Sequence, residues 1–138
     1  MKVVILAGGK GTRLSEYTKS IPKPMVKINK IPIIVHIMKH YSKYGFKDFV
    51  IAAGYKKKII QNFFKKKINN WNVSIVDTGK NTMTGGRVKR LKKYLGNQAF
   101  LLTYGDGVSD VNIKKLLSFH KKSKSIITLT AVRPPARF

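Results

Sequence analysis

A doubly wound α/β fold around a mostly parallel sheet is what this 138-residue sequence predicts. Three observations predict it. Short, apolar, β-branched runs alternate with lysine-rich segments of helical period along the chain. The connections between them are short, as right-handed crossovers require. Polar, glycine-rich segments follow three of the apolar runs, where such a sheet holds its ligands.

Residues 2–7 read as a buried strand, near-continuously apolar as parallel strands are. Residues 8–24 read as loop, broken by Gly8, Gly9, Gly11, Pro22 and Pro24. Pro32 suits a first helical turn. From there Ile33, Ile34, Ile37, Met38 and Tyr41 recur at helical spacing, and Gly45 stops the helix. Phe49–Ala53 is a second strand, closed by Gly54. Ile59, Ile60, Phe63, Phe64 and Ile68 mark a second amphipathic helix with lysines opposite. Asn72 to Val76 is a third strand. Val88, Leu91 and Leu95 give a third helix, ended by Gly96. Ala99–Tyr104 is a fourth strand. Asp110 is expected to cap a helix through Ile113, Leu116, Leu117 and His120. Ser125 to Val132 is expected as a fifth strand. No internal repeat or linker interrupts the pattern, so residues 1–138 read as one domain.

The composition, 43% hydrophobic, is that of a globular protein. No apolar run approaches the roughly 18–20 residues of a membrane span. The opening has one lysine before a short apolar run that ends in glycines, so no signal peptide is expected in it. A cytoplasmic location and no membrane partner are the expectation. Without cysteine there is no disulfide framework, thiol nucleophile or thiolate metal site. The net charge of +24 invites a nucleic-acid reading. Yet 24 of the 29 basic residues are lysines spread along the chain, and aromatics are not interleaved with arginine. A lysine-biased composition with indiscriminate, salt-labile polyanion binding is the simpler reading, so no specific nucleic acid is expected. The carboxylates are only Glu16, Asp48, Asp77, Asp106 and Asp110, and any metal or carboxylate chemistry must use these.

Three segments fall at the carboxyl ends of the expected strands: Gly8–Arg13, Asp77–Arg87 and Gly105–Asp110. The first is a phosphate loop of some kind. It is not a P-loop, because Gly11 is followed by Thr12 and Arg13 rather than by lysine and a hydroxyl residue. It is not the dinucleotide fingerprint either. Leu14 stands where the third glycine belongs, and residues 52–58 contain no acid.

Leu-Ala-Gly-Gly-x-Gly-Thr-Arg-Leu at residues 6–14 resembles the signature of the sugar nucleotidyltransferases. Pro22-Lys23-Pro24-Met25-Val26 is similar to their lysine segment. Val76–Gly79, Met83–Arg90 and Thr103–Val108 look closest to the glucose-1-phosphate cytidylyltransferase branch, and Leu129–Ala131 and Pro134–Phe138 continue the match. The resemblance implies a three-layer, Rossmann-like fold of the nucleotide-diphospho-sugar transferase type, of which this chain is the N-terminal, nucleotide-binding part. It implies CTP and glucose 1-phosphate as substrates, CDP-glucose and pyrophosphate as products, Mg²⁺ as cofactor, and a place in nucleotide-sugar and lipopolysaccharide (O-antigen) biosynthesis. A homo-oligomer is compatible with it.

What this chemistry asks of the residues is positioning and positive charge, because two polyanions must meet in line. The resemblance assigns nucleotide binding to Leu6, Ala7, Gly8, Gly9, Gly11 and Thr12, with Thr84, Gly85, Gly86 and Arg87 on base and ribose. Arg13 is expected to grip the phosphates bidentately, and Lys23 to reach the α-phosphate. Asp106 is the expected magnesium carboxylate. His36, His40 and His120 read as core-edge or surface residues. Against the family pattern, the chain is short at its C-terminal end, where members carry a second metal-binding aspartate and a lysine for the sugar phosphate. No Asp or Glu follows Asp110. The stretch from Lys56 to Asn72 is also short, and Ala136 stands where close relatives tend to have glycine. Other bases or sugars, or a nucleotide-binding module without turnover, are the alternatives.

Overall fold

Strand β1 (Val3–Ala7) is apolar at every position because helices cover both of its faces. The computed structural model describes residues 1–11, 20–66 and 68–133. A single 3-10 turn, Lys23–Met25, precedes a small antiparallel hairpin of β2 (Lys27–Ile28) and β3 (Ile31–Pro32). Asn29 and Lys30, both at positive φ (49° and 64°), make its turn. That pair of left-handed residues is what a two-residue hairpin of right-handed twist requires. Then follow α1 (Ile33–Ser42), β4 (Asp48–Ala53), α2 (Lys57–Phe63), β5 (Asn72–Asp77), α3 (Thr84–Arg90), α4 (Lys92–Leu95), β6 (Leu101–Tyr104) and α5 (Ile113–Ser123).

The main sheet has four parallel strands in the order β5-β4-β1-β6. The chain winds outward from β1 through β4 to β5, then returns to place β6 on the other side of β1. The sense of winding reverses between β1 and β6, and the crevice at their carboxyl ends is where such sheets bind ligands.

The strand period of two sorts β1 into two cores. Val3, Ile5 and Ala7 face α1, α2 and α5, packing on Ile34, Ile37, Met38, Ile60 and Ile113. Val4 and Leu6 face the other way, toward Leu91 and Leu95 of the α3–α4 segment. Helices on both faces of the sheet make the three layers that the sequence predicts. Helix α1 contributes most to the first core, burying Ile34, Val35, Ile37, Met38 and Tyr41. Each such side chain contributes roughly 1.5–3 kcal/mol over leaving it in water.

Four expectations are corrected. Pro32 is not in the helix: it ends β3 with φ −57° and ψ 144°, and α1 begins at Ile33. Asp110 is exposed and does not cap α5. Asn112 does, its Oδ1 accepting from Lys115 N–H at 3.0 Å. The third helix is two short ones, because Leu91, fully buried at φ −85° and ψ −3°, sets a tight turn between them. Finally, residues 125–132 form no strand. Their alternating pattern suits one, but they pair with no described strand, and the outer edge of β6 carries no ladder among the described residues. Ile126 and Leu129 stand 96% and 84% exposed. Among the described residues, no helix is long and apolar enough to cross a membrane.

Two predictions follow from this packing. Phe49 is 1% exposed and meets the Trp71 ring edge-on at 5.6 Å. Phe49→Ala should cost about 3–5 kcal/mol, read as a lower urea midpoint with an unchanged slope; a loss under about 1 kcal/mol would contradict the packing described. The second concerns acid. Lys57 at the start of α2 bonds the Asp77 carboxylate, and Gly79 N–H donates to it at 3.0 Å. The Lys57 bond foremost, then the Gly79 bond, hold Asp77 below its ordinary value. A lowered carboxyl pKa contributes stability above about pH 4 that is lost as pH falls through the folded-state value. The carboxylate is 48% exposed, so the contribution is small. Stability of the native chain should therefore fall more steeply below about pH 4 than that of Asp77→Asn. Parallel acid limbs for the two proteins would count against it.

Candidate active site

The carboxyl ends of β1 and β6 open into a cleft of about 270 Å³. Its back wall is the end of β1, Leu6 and Ala7, running into Gly8, Gly9 and Gly11. Lys23 and Pro24 form one side with Tyr104 and Asp106, and Thr82, Met83, Thr84 and Arg87 form the other. Residues from four separate stretches of chain converge here: three are from the segments the sequence places at this edge, and the fourth is the Lys23 segment. A larger, open depression of about 490 Å³ lies around Lys2, Asp48 and Asn97, at the amino ends of the strands, away from these groups.

Lys23 is held by its neighbours. Pro22, Pro24 and Met25 are buried on either side of it. Met25 N–H donates to Pro22 O at 2.8 Å and Val26 N–H to Lys23 O at 3.1 Å, closing the 3-10 turn. The backbone is thus anchored, and the side chain is the one group of this turn left to reach outward. It meets Asp106, with Nζ 2.6 Å from Oδ2.

Asp106 owes its place to Gly105. Gly105 N–H donates to Leu6 O at 2.9 Å, extending the β1–β6 ladder by one bond. A Cβ at this position would stand 2.9 Å from Pro24 Cγ and 3.0 Å from Leu6 O. Only glycine lets the Pro22–Pro24 segment lie against the end of β6, so the glycine before Asp106 also brings in Lys23.

Opposite, Arg87 is 5% exposed. Its Nη1 donates to Thr78 Oγ1 at 2.8 Å and to Gly79 O at 2.7 Å, and its Nη2 to Gly8 O at 2.9 Å. Burial first, and then the nearby Arg90 charge, draw its pKa below the ordinary value, although a guanidinium stays charged under any such shift. Arg90 holds the same loop from the other side, donating to Thr78 O and Thr82 Oγ1, each at 2.7 Å. The residue expected on base and ribose therefore has both of its terminal nitrogens engaged by protein oxygens, although it still lines the cleft.

Of the other expected residues, Leu6, Ala7, Gly8, Gly9, Gly11, Lys23, Thr84 and Asp106 all line the cleft. Gly85 and Gly86 lie in the first turn of α3 but do not line it. Thr12 and Arg13 lie outside the described residues, as do residues 134–138. The histidines stand elsewhere. His36 donates to Ile28 O at 3.1 Å, His40 to Val111 O at 2.9 Å, and His120 bonds Thr128 Oγ1 at 2.8 Å.

Sequence reasoning passed over Pro24, Thr82, Met83 and Tyr104 as lining residues. Tyr104 had a signal, since it ends an apolar strand two residues before Asp106, and it is paired in register with Leu6. Met83 opens the Met83–Arg90 motif run, and Thr82 had no signal beyond closeness to it.

Among the described residues the cleft offers a magnesium ion one carboxylate, Asp106, partly exposed and paired with Lys23. Among the described residues no three potential ligands cluster. That donor set fits a Mg²⁺ carried largely by substrate phosphates and water, and does not fit a cage made by protein alone.

Known proteins share this sequence pattern and fold. Glucose-1-phosphate cytidylyltransferase of Salmonella typhimurium is 48% identical over 161 aligned residues, covering all of this chain and 63% of that protein. Probable glucose-1-phosphate cytidylyltransferase of Bacillus subtilis is 38% identical, again over all of this chain and 63% of that one. Among solved structures, HddC from Yersinia pseudotuberculosis complexed with GMP-PN superposes with a TM-score of 0.74 at 33% identity, covering 86% of this chain and 53% of that one. The chain thus spans just under two thirds of the length of these curated relatives. With residues 2–138 also matching the Nucleotidyl transferase family model, over a fold and a cleft of the kind just described, the chain belongs to the nucleotidyl transferase family.

Proposed function

We propose that this chain is the nucleotide-binding part of a sugar nucleotidyltransferase that joins CTP to glucose 1-phosphate, releasing pyrophosphate and forming CDP-glucose. The observation that carries the proposal is the meeting of Lys23 and Asp106, from segments far apart in sequence, at the mouth of a cleft walled by the Gly8–Gly11 turn. The preference for cytosine and glucose rests on the 48% identity to the Salmonella enzyme.

In this reading an oxygen of the sugar phosphate attacks the α-phosphorus of CTP. The new P–O bond forms as the bond to the β-phosphate bridging oxygen breaks, and pyrophosphate leaves. The nucleophile is already an anion near neutral pH, so no base has to take a proton from it. The barrier is repulsion between anions, and fixed positive charge lowers it. Lys23 stands where it can leave Asp106 and neutralise the α-phosphate. The Gly8–Gly11 turn admits the triphosphate close to the backbone, and Arg13 is proposed to hold the leaving pyrophosphate. Thr84, at the start of α3, marks the end of the cleft for base and ribose. Asp106 would hold Mg²⁺ together with phosphate oxygens, and that ion when bound supplies charge neutralisation and orients the phosphates.

The ion pair offers a test that separates chemistry from folding. Its side chains are 32% and 35% exposed, so breaking it should cost the fold no more than about 1 kcal/mol. Asp106→Ala and Lys23→Ala should therefore keep nearly the native melting temperature. Each should cut pyrophosphate release from CTP, glucose 1-phosphate and Mg²⁺ by on the order of a hundred-fold or more. Turnover that survives both substitutions would remove these residues from the mechanism. If the unaltered chain binds CTP and releases no pyrophosphate, it is a binding module. If it binds no nucleotide, the proposal fails.

A further inference from the structure

Gly8, Gly54, Gly79 and Arg87 come together below the cleft more tightly than any side chain at the glycines would allow. A Cβ on Gly8 would lie 2.0 Å from Arg87 Nη1. A Cβ on Gly54 would lie 2.6 Å from the same nitrogen, 2.6 Å from Gly79 O and 2.9 Å from Gly8 O. The guanidinium therefore fills the space where three loops, those after β1, β4 and β5, would otherwise leave a gap. Its bonds to Gly8 O, Thr78 Oγ1 and Gly79 O join the first loop to the third. The middle loop is tied in by backbone bonds. Tyr55 N–H donates to Gly8 O at 3.2 Å, and Thr78 N–H to Ala53 O at 2.8 Å.

The Gly8 carbonyl is the shared acceptor. It receives Arg87 Nη2 from one side and Tyr55 N–H from the other. Fixing that oxygen fixes the plane of the peptide between Gly8 and Gly9, since carbonyl and N–H of one peptide unit are coplanar and opposed. The N–H that follows Gly8 is thereby aimed away from the knot. Charge-assisted bonds from a buried planar fork hold such an orientation better than neutral ones.

We propose that Arg87 and Gly54 are positioning residues for the triphosphate: Arg87 pins the Gly8 carbonyl, and the bare Cα of Gly54 leaves the room for it to do so. The inference rests on the nucleotide-binding reading above. Gly54 does not line the cleft, so it acts only through the loops it packs against.

The test compares Arg87→Met, Arg87→Lys and Gly54→Ala with the native chain. CTP affinity, and the ability of inorganic tripolyphosphate to displace CTP, are measured at physiological salt, which suppresses indiscriminate binding to the lysine-rich surface. Hydrogen exchange at the Tyr55 and Thr78 amides is measured beside global stability. Arg87→Met should weaken CTP and tripolyphosphate alike by roughly ten- to a hundred-fold, the loss expected for buried charge-assisted bonds. Arg87→Lys should not rescue them, because an ammonium cannot span three acceptors as the fork does. Gly54→Ala should weaken both ligands in the same proportion. In all three variants the Tyr55 amide should exchange faster than global unfolding accounts for. The inference is overturned if Arg87→Met weakens CTP but spares tripolyphosphate, which would make Arg87 a direct reader of the nucleoside. Unchanged Tyr55 exchange, or native affinity in Gly54→Ala, also overturns it. A native chain that binds no CTP defeats the functional reading instead, and the exchange data then decide the positioning claim by themselves.

Discussion

Strand β1 pairs in parallel with β4 from Val3–Phe49 to Ala7–Ala53, and with β6 from Val3–Leu101 to Leu6–Tyr104. Those two ladders set where the described cleft residues stand. A slip of one residue on either side would exchange the two faces of β1, turning Ile5 toward α4 and Leu6 toward α1. It would also move the Gly8 turn relative to Asp106 by the length of a residue, about 3.3 Å, more than the full length of the Lys23–Asp106 contact. The apolar burial on both faces is therefore what sets the geometry of the cleft. Gly105 extends the β1–β6 ladder by its bond to Leu6 O and in the same step admits Pro24, so register and cation placement are one constraint.

The parts of this arrangement legible in the sequence were those that depend on local period and local chemistry. The five-residue apolar run of β1, the helical spacing of α1 and the glycine-flanked Asp106 all carry their own signal. The fold follows from their alternation, and the convergence of the loops follows from the fold. What was not legible depends on neighbours far along the chain. Residues 125–132 carry a strand's pattern, but a strand exists only where its backbone pairs with a neighbour, and pattern alone cannot supply that pairing. Asp110 and Asn112 are both good caps, and which of them caps α5 is settled by where packing starts the helix, at buried Ile113. The hairpin turn at Asn29-Lys30 escaped notice because lysine is a poor candidate for positive φ, and the asparagine alone is an ambiguous signal. Arg87 was expected on base and ribose from its motif. That its terminal nitrogens engage protein oxygens could not be read there, because the acceptors are the carbonyls of Gly8 and Gly79, and backbone acceptors have no letter in a sequence.

The lysine bias of the chain gives Arg87 and Arg90 a meaning that their motif alone does not. With 24 lysines among 29 basic residues, lysine is the ordinary cation of this protein wherever a charge only has to face water. On helix surfaces such as that of α5, where Lys114, Lys115, Lys121 and Lys122 serve, a flexible point charge is enough. Arginine stands at 87 and 90, where one side chain must reach several oxygens at fixed angles. Arg87 spans Gly8 O, Thr78 Oγ1 and Gly79 O, and Arg90 spans Thr78 O and Thr82 Oγ1. An ammonium at the end of a flexible stem could satisfy one or two of these but could not hold the loops in a plane, and burying it would cost its hydration as well. The same argument sets Lys23 apart in the opposite direction. In the proposed function it would hold a carboxylate at rest and exchange it for phosphate, which needs a compact charge that can turn on its stem, and lysine suits that better than a fork fixed in place. On the proposed function, the division of labour between the two cations follows the mechanics of the cleft: arginine beneath it, where geometry is held, and lysine at its mouth, where a charge would have to move.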